Sequence, residues 1–305
     1  MMPGTPRTAV VIVTYNSAAV LGGCLLSLAD GAKGTHLRSV VVADNDSADE
    51  TLEIALSAEA LPVRTVQLGR NAGYAAAINA GIATLDLAEL DAVLVLNPDC
   101  RLRPGSLLLL ANALEDRRGI TVPLLLNDDG SLQPSLRRMP TVWRAAIEAV
   151  IGGDVAGRVG KLGELVTNPR EYEVPGAFAW ATGAAMLIST DLIREVGQWD
   201  ESFFLYSEET EYTLRAADHG WSLWYEPRSE FEHIGGDSGV NPRLAAMLIV
   251  NKVRLFRMRR GAIAGAAYYA AVTLGEAVRA LTGRATSKAS VRALTSSRRR
   301  AELFA

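Results

Sequence analysis

The chain has 305 residues, of which 49% are hydrophobic and 21% are charged. This apolar content offsets the entropy cost of ordering the chain, so the composition argues against disorder. The length predicts either one large α/β domain or one domain with an appendage. The net charge of -3 hides an asymmetry, because residues 243–305 carry 13 Lys/Arg and 2 Asp/Glu while the rest of the chain is acidic. A basic tail on an acidic body indicates an anionic partner for the tail.

The first half of the sequence alternates short β-branched runs with helical patterns. Buried strands are predicted at residues 8–14, 39–43, 63–68 and 92–96, and helices at residues 18–29, 47–59 and 73–85. The apolar stretch before Thr14 spans only six residues and no cleavage-site pattern follows it, so it is typical of a first strand and not of a secretory signal. Strand–helix–strand repetition predicts a mostly parallel sheet covered on both faces, which binds ligands at the carboxyl ends of its strands.

Polar segments follow each of the four predicted strands. They are Thr14-Tyr15-Asn16-Ser17, Asp44 to Asp49, Gly69 to Gly73 and Asn97-Pro98-Asp99-Cys100. Helix capping is the structural alternative, and it fits Ser47 and Asp49 well as single residues. Four such segments at one edge favour a ligand site. Neither the dinucleotide-binding glycine motif nor the phosphate-binding loop of NTPases is present, which argues against both of those classes.

The second half contains a weakly patterned connector and then a compact acidic block. Residues 127–172 are interrupted by Pro and Gly, which indicates a connecting segment. In the block, Glu208 and Glu209 fall in the first turn of a predicted helix beginning near Ser207, where carboxylates are favoured by the helix dipole. The aromatic residues that precede them would also desolvate a carboxylate and make it a stronger base, so both interpretations stand.

Among the histidines, His233 is the candidate functional residue, since it ends a predicted strand and precedes a glycine-rich segment. Paired with Asp99, it would offer mixed nitrogen and oxygen ligands to Mn²⁺ or Mg²⁺. Gly236-Asp237-Ser238-Gly239 is similar to the nucleophile signature of some serine proteases, although it lacks the second glycine. The two cysteines, Cys24 and Cys100, are too few for a disulfide framework and favour a reducing compartment.

The order of motifs resembles that of the inverting glycosyltransferases of family 2, and most of all their bacterial rhamnosyltransferase-like branch. The resemblance covers residues 8–240 and rests on these motifs: Val11 to Asn16, Asp44 to Ser47, Arg70 to Tyr74 with Asn79, Asn97-Pro98-Asp99, Gly183-Ala184, Trp199 to Arg215 and His233 to Gly236. It implies an α/β GT-A fold, a Rossmann-like mostly parallel sheet flanked by helices, with a nucleotide-diphosphate sugar donor and Mn²⁺ or Mg²⁺ as cofactor.

The resemblance also implies a role for individual residues. Asp99 matches the last acid of the metal-binding D-x-D motif, His233 matches the distal metal ligand, and Glu209, with Glu208 beside it, matches the general base. The implied nucleotide-sugar residues are Thr14, Tyr15, Asn16, Asp44, Asn45, Ser47, Asn71, Gly73, Asn79 and Asn97, with Asp44 bonding the base. The implied acceptor residues are Gly183, Ala184 and Asp200.

Two positions depart from the family pattern. Asn97 replaces the first acid of the D-x-D motif, as is usual in this branch, and Glu209 stands where the common Glu-Asp pair has Asp. In the implied reaction the cation stabilises the departing diphosphate, while a carboxylate takes the proton of the acceptor hydroxyl as that oxygen inverts the anomeric centre.

The C-terminal segment combines an apolar helical pattern over Leu244 to Phe256 with arginines and then fifteen uncharged residues, Gly261 to Gly275. A membrane span needs about 20 apolar residues, so a basic helical hairpin lying on an anionic membrane surface is predicted instead. Packing on the catalytic domain, or on a second subunit in a homo-oligomer, is the structural alternative. Nucleic acid also fits the charge, but the helical and apolar features favour membrane.

The sequence therefore predicts a GT-A domain over residues 1–242 and a basic helical, membrane-associating or oligomerising extension over residues 243–305. The predicted function is metal-dependent transfer of a sugar, L-rhamnose from dTDP-rhamnose or else the sugar of a UDP donor, to a cell-envelope polysaccharide or polyprenyl-diphosphate-linked acceptor. The enzyme would be cytoplasmic and peripheral on the inner face of the plasma membrane. The alternatives are a catalytically impaired nucleotide-sugar-binding protein of the same fold and a serine hydrolase using Ser238.

Overall fold

The computed structural model describes residues 4–235 and 241–304. The chain divides into two compact units. The first contains residues 1–135, 169–202 and 208–235, and the second contains residues 136–168, 203–207 and 236–305. The residues of the Ser238 signature lie outside the described part of the chain. The proposed boundary between residues 242 and 243 stays a prediction.

The first unit contains ten strands and six α-helices among its described residues. The strands are β1 (Arg7–Thr14), β2 (His36–Asp44), β3 (Val63–Gln67), β4 (Ala92–Leu96), β5 (Cys100–Leu102), β6 (Ile120–Leu126), β8 (Gly176–Phe178), β9 (Trp180–Ala181), β10 (Ala185–Ser189) and β11 (Leu223–His233). The helices are α1 (Ala18–Gly31), α2 (Thr51–Leu56), α3 (Tyr74–Ala83), α4 (Ser106–Ala113), α7 (Thr190–Val196) and α8 (Glu208–Asp218).

Nine of these strands form one sheet in the order β3-β2-β1-β4-β10-β6-β11-β5, with β8 paired to β11. The neighbouring pairs among β3, β2, β1 and β4 are parallel, as is the β6–β11 pair, whereas β10 and β5 run antiparallel to their neighbours. Strands β1 and β4 are almost entirely buried, because parallel strands are covered by helices on both faces. Their carboxyl ends therefore open at one edge.

The predicted α/β architecture is confirmed, and the first four strands and three helices all form. The predicted helix over residues 47–59 is shorter, since α2 begins at Thr51 and its N-cap residue Glu50 makes no side-chain capping bond. Capping by Ser47 is therefore wrong, because the Ser47 hydroxyl bonds to Asp44 and to the backbone of Asn16 instead.

The second unit joins part of the predicted connector to the C-terminal helices. It contains β7 (Leu136–Arg137), α5 (Val142–Ile151), α6 (Gly153–Arg158), α9 (Pro242–Leu281), α10 (Ala285–Thr295) and α11 (Ser297–Leu303). A separate apolar core, which includes Ala145, Met247, Phe256 and Tyr268, holds these helices together. The interpretation of residues 127–172 as a connector alone is therefore incomplete.

Helix α9 is interrupted at Gly261, whose φ of 79° and ψ of -177° are not helical. The two arms fold back on each other, because the Phe256 and Tyr268 rings on either side of the break stack with centroids 3.9 Å apart. A glycine is needed at this bend, since only glycine adopts this backbone conformation at low cost. Within residues 4–235 and 241–304, none of the helices has both the length and the hydropathy required to span a membrane.

Candidate active site

Hydrogen bonds to the Asp44 side chain stabilise the loops after β1 and β2. Its carboxylate accepts hydrogen bonds from the Thr14 hydroxyl (2.7 Å), the Ser47 hydroxyl (2.6 Å) and the Ser47 backbone N–H (2.9 Å). Asp44 and Thr14 are each 1% exposed. These contacts fix the shape of the loops, and a bond from Asp44 to a nucleotide base stays a prediction.

Asparagines connect the same loops to one another. The Asn16 side chain accepts from Ala48 N–H at 2.9 Å, and the Asn45 side chain accepts from Ala72 N–H at 3.1 Å. Asn71 accepts from the backbone N–H of Gly73, whose φ of 94° explains the glycine at the start of α3. Among the predicted nucleotide residues of these loops, Tyr15 is 52% exposed. Its ring is available to a ligand.

Sheet pairing brings Asp99 and His233 together. β11 runs antiparallel to β5 with His233 opposite Cys100, and the backbone N–H of Ile234 donates to the carbonyl of Asp99 at 3.2 Å. His233 Nε2 consequently lies 3.4 Å from Asp99 Oδ1. That spacing suits two atoms that share one cation at about 2.1–2.3 Å each.

Three further observations bear on whether these residues fit a cation. Asp99 Oδ1 is buried and has no hydrogen-bond partner within the described part of the chain. Buried carboxylate oxygens are normally bonded, and a cation would supply the partner that the described residues do not provide. Cys100 shares the cluster, but burial and then the Asp99 charge raise the pKa of its thiol well above the ordinary value. Asp99 and His233 offer the oxygen and nitrogen ligands that fit a hard divalent cation.

Gln133 fixes the proton position on His233, and sequence reasoning missed it. The Gln133 amide nitrogen donates to Asn127 Oδ1 at 3.0 Å and to the His233 carbonyl at 3.3 Å, which leaves its oxygen facing the imidazole. This Oε1 lies 2.6 Å from His233 Nδ1. Because an amide oxygen can only accept, Nδ1 carries a proton, and in the neutral imidazole the lone pair is therefore on Nε2, the nitrogen nearer Asp99.

Tyr74 is a second residue that was absent from the predicted site. Its hydroxyl lies 2.8 Å from Asn97 Oδ1 and 3.0 Å from the Gly183 carbonyl. Burial, followed by the Glu208 carboxylate, raises the pKa of Tyr74 well above its ordinary value, so the hydroxyl remains a donor. With its oxygen held in this way, Asn97 turns its amide nitrogen towards His233 Nε2, at 3.4 Å.

Glu208 and Glu209 begin α8, as the sequence predicts for a helix starting near Ser207. Glu208 is 3% exposed, and Glu209 accepts a hydrogen bond from the Thr210 hydroxyl at 3.2 Å. A β-carbon added at Gly183 would lie 3.3 Å from Glu209 Cβ, so this glycine lets the acidic side chain approach the strand edge. The Tyr74 hydroxyl, which contacts both the Gly183 carbonyl and Asn97, thus connects Glu209, the candidate base, to the candidate metal ligands Asp99 and His233.

The remaining predicted residues make contacts with the protein itself. Asn79 donates to the Trp199 carbonyl at 3.0 Å and to Glu201 at 2.9 Å, and Asp200 accepts from Ser202 N–H at 2.9 Å. The Ala184 carbonyl accepts from Asn97 N–H at 2.8 Å. Donor contacts by Asn79 and acceptor contacts by Gly183, Ala184 and Asp200 stay predictions.

Comparisons with known proteins identify the family of the chain. The family model for glycosyl transferase family 2 matches residues 9–162. The chain belongs to this family and is a glycosyltransferase. One relative is the N-acetylglucosaminyl-diphospho-decaprenol L-rhamnosyltransferase of Mycobacterium tuberculosis, which is 34% identical over 242 residues, or 73% of this chain and 75% of the relative.

Solved structures confirm the predicted GT-A fold. GalNAc-T7 with UDP, GalNAc and Mn²⁺ is 19% identical with a TM-score of 0.60, over 83% of this chain and 48% of that one. The mannosyltransferase PcManGT from Pyrobaculum calidifontis, in complex with GDP-Man and Mn²⁺, is 14% identical with a TM-score of 0.59, over 98% of this chain and 84% of that one. Because both sequence identities are low, the structural similarity establishes a shared fold and nothing more specific.

Proposed function

We propose that this enzyme transfers a sugar from a nucleotide-diphosphate donor to a saccharide carried on a polyprenyl diphosphate, with inversion at the anomeric carbon. L-Rhamnose from dTDP-rhamnose is the proposed donor sugar, and the name of the mycobacterial relative supports both the sugar and a lipid-linked acceptor. Residues 1–242 would carry the reaction. Residues 243–305 would hold the enzyme at the inner face of the plasma membrane, where such an acceptor resides.

The observation that carries this proposal is the linkage through Tyr74. Its hydroxyl joins Asn97 and Gly183, which lie next to the Asp99–His233 pair and to Glu209 respectively. A leaving diphosphate and an attacking hydroxyl need groups on opposite sides of the sugar, and in the proposed reaction the Asp99–His233 pair and Glu209 would be those groups. The solved relatives that contain a nucleotide or nucleotide sugar together with Mn²⁺ support the class of donor.

Each residue has a defined task in the proposed reaction. Asp99 and His233 would hold Mn²⁺ or Mg²⁺, which when bound offsets the negative charge that develops on the diphosphate. Gln133 holds the Nδ1 proton of His233, so that Nε2 is the nitrogen that would bind the cation. Glu209 Oε accepts the proton of the acceptor hydroxyl while that oxygen attacks, and Tyr74 stays neutral and holds Asn97 in place.

Transfer of labelled rhamnose from dTDP-rhamnose to a polyprenyl-diphosphate N-acetylglucosamine tests the function directly. Glu209→Gln should lower turnover by about 10²- to 10⁴-fold while donor affinity, measured by thermal shift with Mn²⁺, changes only a few-fold. Glu211→Gln is the matched control, because Glu211 pairs with Arg215 at 2.8 Å and has a structural role. Normal turnover by Glu209→Gln would remove that residue from the role of base.

The same thermal-shift series identifies the donor base. dTDP, UDP and GDP, each with and without Mn²⁺, should rank with dTDP first and should stabilise the enzyme only when the cation is present. Equal stabilisation by all three nucleotides without Mn²⁺ would contradict both the proposed donor and the proposed cation site.

A further inference from the structure

One side of the second arm of α9 (residues 262–281) is apolar and exposed. Ile263, Ala267, Ala270, Leu274, Val278 and Leu281 recur at steps of three and four residues, which places them on a single helix face. We call these six residues the apolar face. Ile263 is 90% exposed, Leu274 57% and Leu281 89%. Side chains of this size are normally covered when they recur on one face.

The opposite side of the same arm is packed. Tyr268 and Val272 belong to the core of the second unit, and a β-carbon at Gly275 would lie 3.1 Å from the Ala149 Cα of α5. The orientation of the arm is therefore set by its buried side, and the exposure of the apolar face follows from that packing.

Exposed apolar side chains are concentrated in the second unit. Of the sixteen large hydrophobic residues that are exposed among the described residues, eleven belong to this unit, which is the smaller of the two. They include Trp143 and Val150 of α5, the helix that contacts Gly275. Exposed apolar side chains are therefore enriched in the second unit, and the apolar face contributes four of the eleven.

Charge distinguishes the possible partners of this surface. The described residues of the second unit carry 18 Lys/Arg and 5 Asp/Glu, a net charge of +13. Residues 261–275 contain no charged side chain, and exposed Arg257, Arg260, Arg284 and Lys288 flank the two ends of the arm. A second copy would bring the same positive charge to the interface and be repelled, whereas an anionic bilayer attracts it.

We propose that the apolar face docks on an anionic phospholipid bilayer. The arm is about 30 Å long and would lie in the plane of the headgroups, with its leucines and isoleucine below the phosphates and the flanking arginines among them. This interaction extends the proposed function, since it brings the enzyme to the surface where a lipid-linked acceptor is held. It does not depend on the identity of the donor or acceptor.

Vesicle co-sedimentation of the full chain, without donor or acceptor, tests the docking surface. The protein should bind phosphatidylcholine vesicles that contain phosphatidylglycerol, and it should bind pure phosphatidylcholine vesicles weakly. The combined variant Ile263→Ser, Leu274→Ser, Leu281→Ser should bind at least about tenfold more weakly, because each change removes apolar area that the bilayer would bury.

A matched control removes similar exposed side chains from the first unit. Leu26, Leu56 and Val174 are 80%, 67% and 59% exposed, and their combined change to Ser should leave vesicle binding within twofold of the wild type. Equal losses in both triple variants, or no loss in either, would overturn the proposal. A dimer in light scattering that the apolar-face variant abolishes, with vesicle binding unchanged, would assign the face to a second copy and refute it.

A fluorescent label gives an independent reading of the same contact. Cys24 and Cys100 are fully buried, so a cysteine introduced by Leu274→Cys is the preferred site of a maleimide dye. An environment-sensitive dye there should shift to shorter wavelength when anionic vesicles are added, and the same dye at Leu26→Cys should not. An unshifted dye at position 274 would contradict insertion of the face.

Discussion

Replacement of Gln133 by Leu tests the geometry of the candidate cation site most directly. The Gln133 oxygen lies 2.6 Å from His233 Nδ1, and no chemical group of leucine can replace it as an acceptor. The imidazole proton is then free to move to Nε2, where it blocks the lone pair that faces Asp99. Loss of a partner that orients a metal-binding histidine costs about 10- to 100-fold in metal affinity, so we expect Mn²⁺ binding to weaken by that factor.

The assay combines calorimetry with a spectroscopic reading of the tautomer. Mn²⁺ titrations on the wild type, Gln133→Leu and Gln133→Glu measure affinity, and ¹⁵N NMR of the imidazoles reports which nitrogen carries the proton. The chain has 3 histidines, so His233 can be assigned by comparison with His233→Ala. Gln133→Glu keeps an acceptor beside Nδ1 and should retain affinity. Unchanged affinity and tautomer in Gln133→Leu would refute the reasoning.

Two further predictions concern glycines. Gly183→Ala places a β-carbon 3.3 Å from Glu209 Cβ and should lower the turnover number about tenfold with little change in donor affinity. Steady-state kinetics measure both quantities. Gly176→Ala is the control, because the β-carbon it adds would have its nearest neighbour at 3.8 Å. Gly261→Ala forces a β-carbon into a conformation with φ of 79° and should lower the free energy of unfolding by about 1–3 kcal/mol. Urea denaturation measures that loss, and Gly153→Ala, with open space around it, should be close to neutral.

The sheet and its polar edge were predictable because buried strands have a recognisable sequence pattern. Strands β1 and β4 read as uninterrupted apolar runs since both of their faces are covered. The polar residues that follow such runs must lie at the carboxyl edge, and Asp44, Asn97 and Asp99 do. The local beginning of α8 was also predictable, because Glu208 and Glu209 suit a helix N-terminus.

Helix α5 was missed because its boundary signals were interpreted as breaks. Thr141 caps the helix by accepting from Arg144 N–H at 3.3 Å, and Gly152 ends it with φ of 84°. In a sequence, Pro and Gly just outside a ten-residue helix cannot be distinguished from the Pro and Gly that are typical of loops. The packing of Ala149 on Gly275 gives no sequence signal of its own, since alanine and glycine are common in every kind of segment.

Gln133 and Tyr74 could not be predicted from one sequence because their partners are remote. Gln133 bonds to His233 across 100 residues, and Tyr74 bonds to Gly183 across 109. Tyr74 ends the Arg70 to Tyr74 motif, but the motif does not show which side chain its hydroxyl contacts, and both residues act by orienting a recognised side chain. Residues of this kind depend on the completed sheet, which sets the pairing of β11 with β5 and of β10 with β4.

The two units of the chain carry net charges of opposite sign. The first unit holds 13 basic and 28 acidic residues, and the side chains gathered around Asn97 are carboxylates, amides, a phenol and an imidazole. The net negative charge of this unit disfavours a diphosphate, so under the proposed function donor and cation should strengthen each other's binding by the same factor. The second unit has the opposite balance, which suits lipid phosphates. An enzyme with the proposed function, which joins a soluble nucleotide sugar to a membrane-held acceptor, would need both properties.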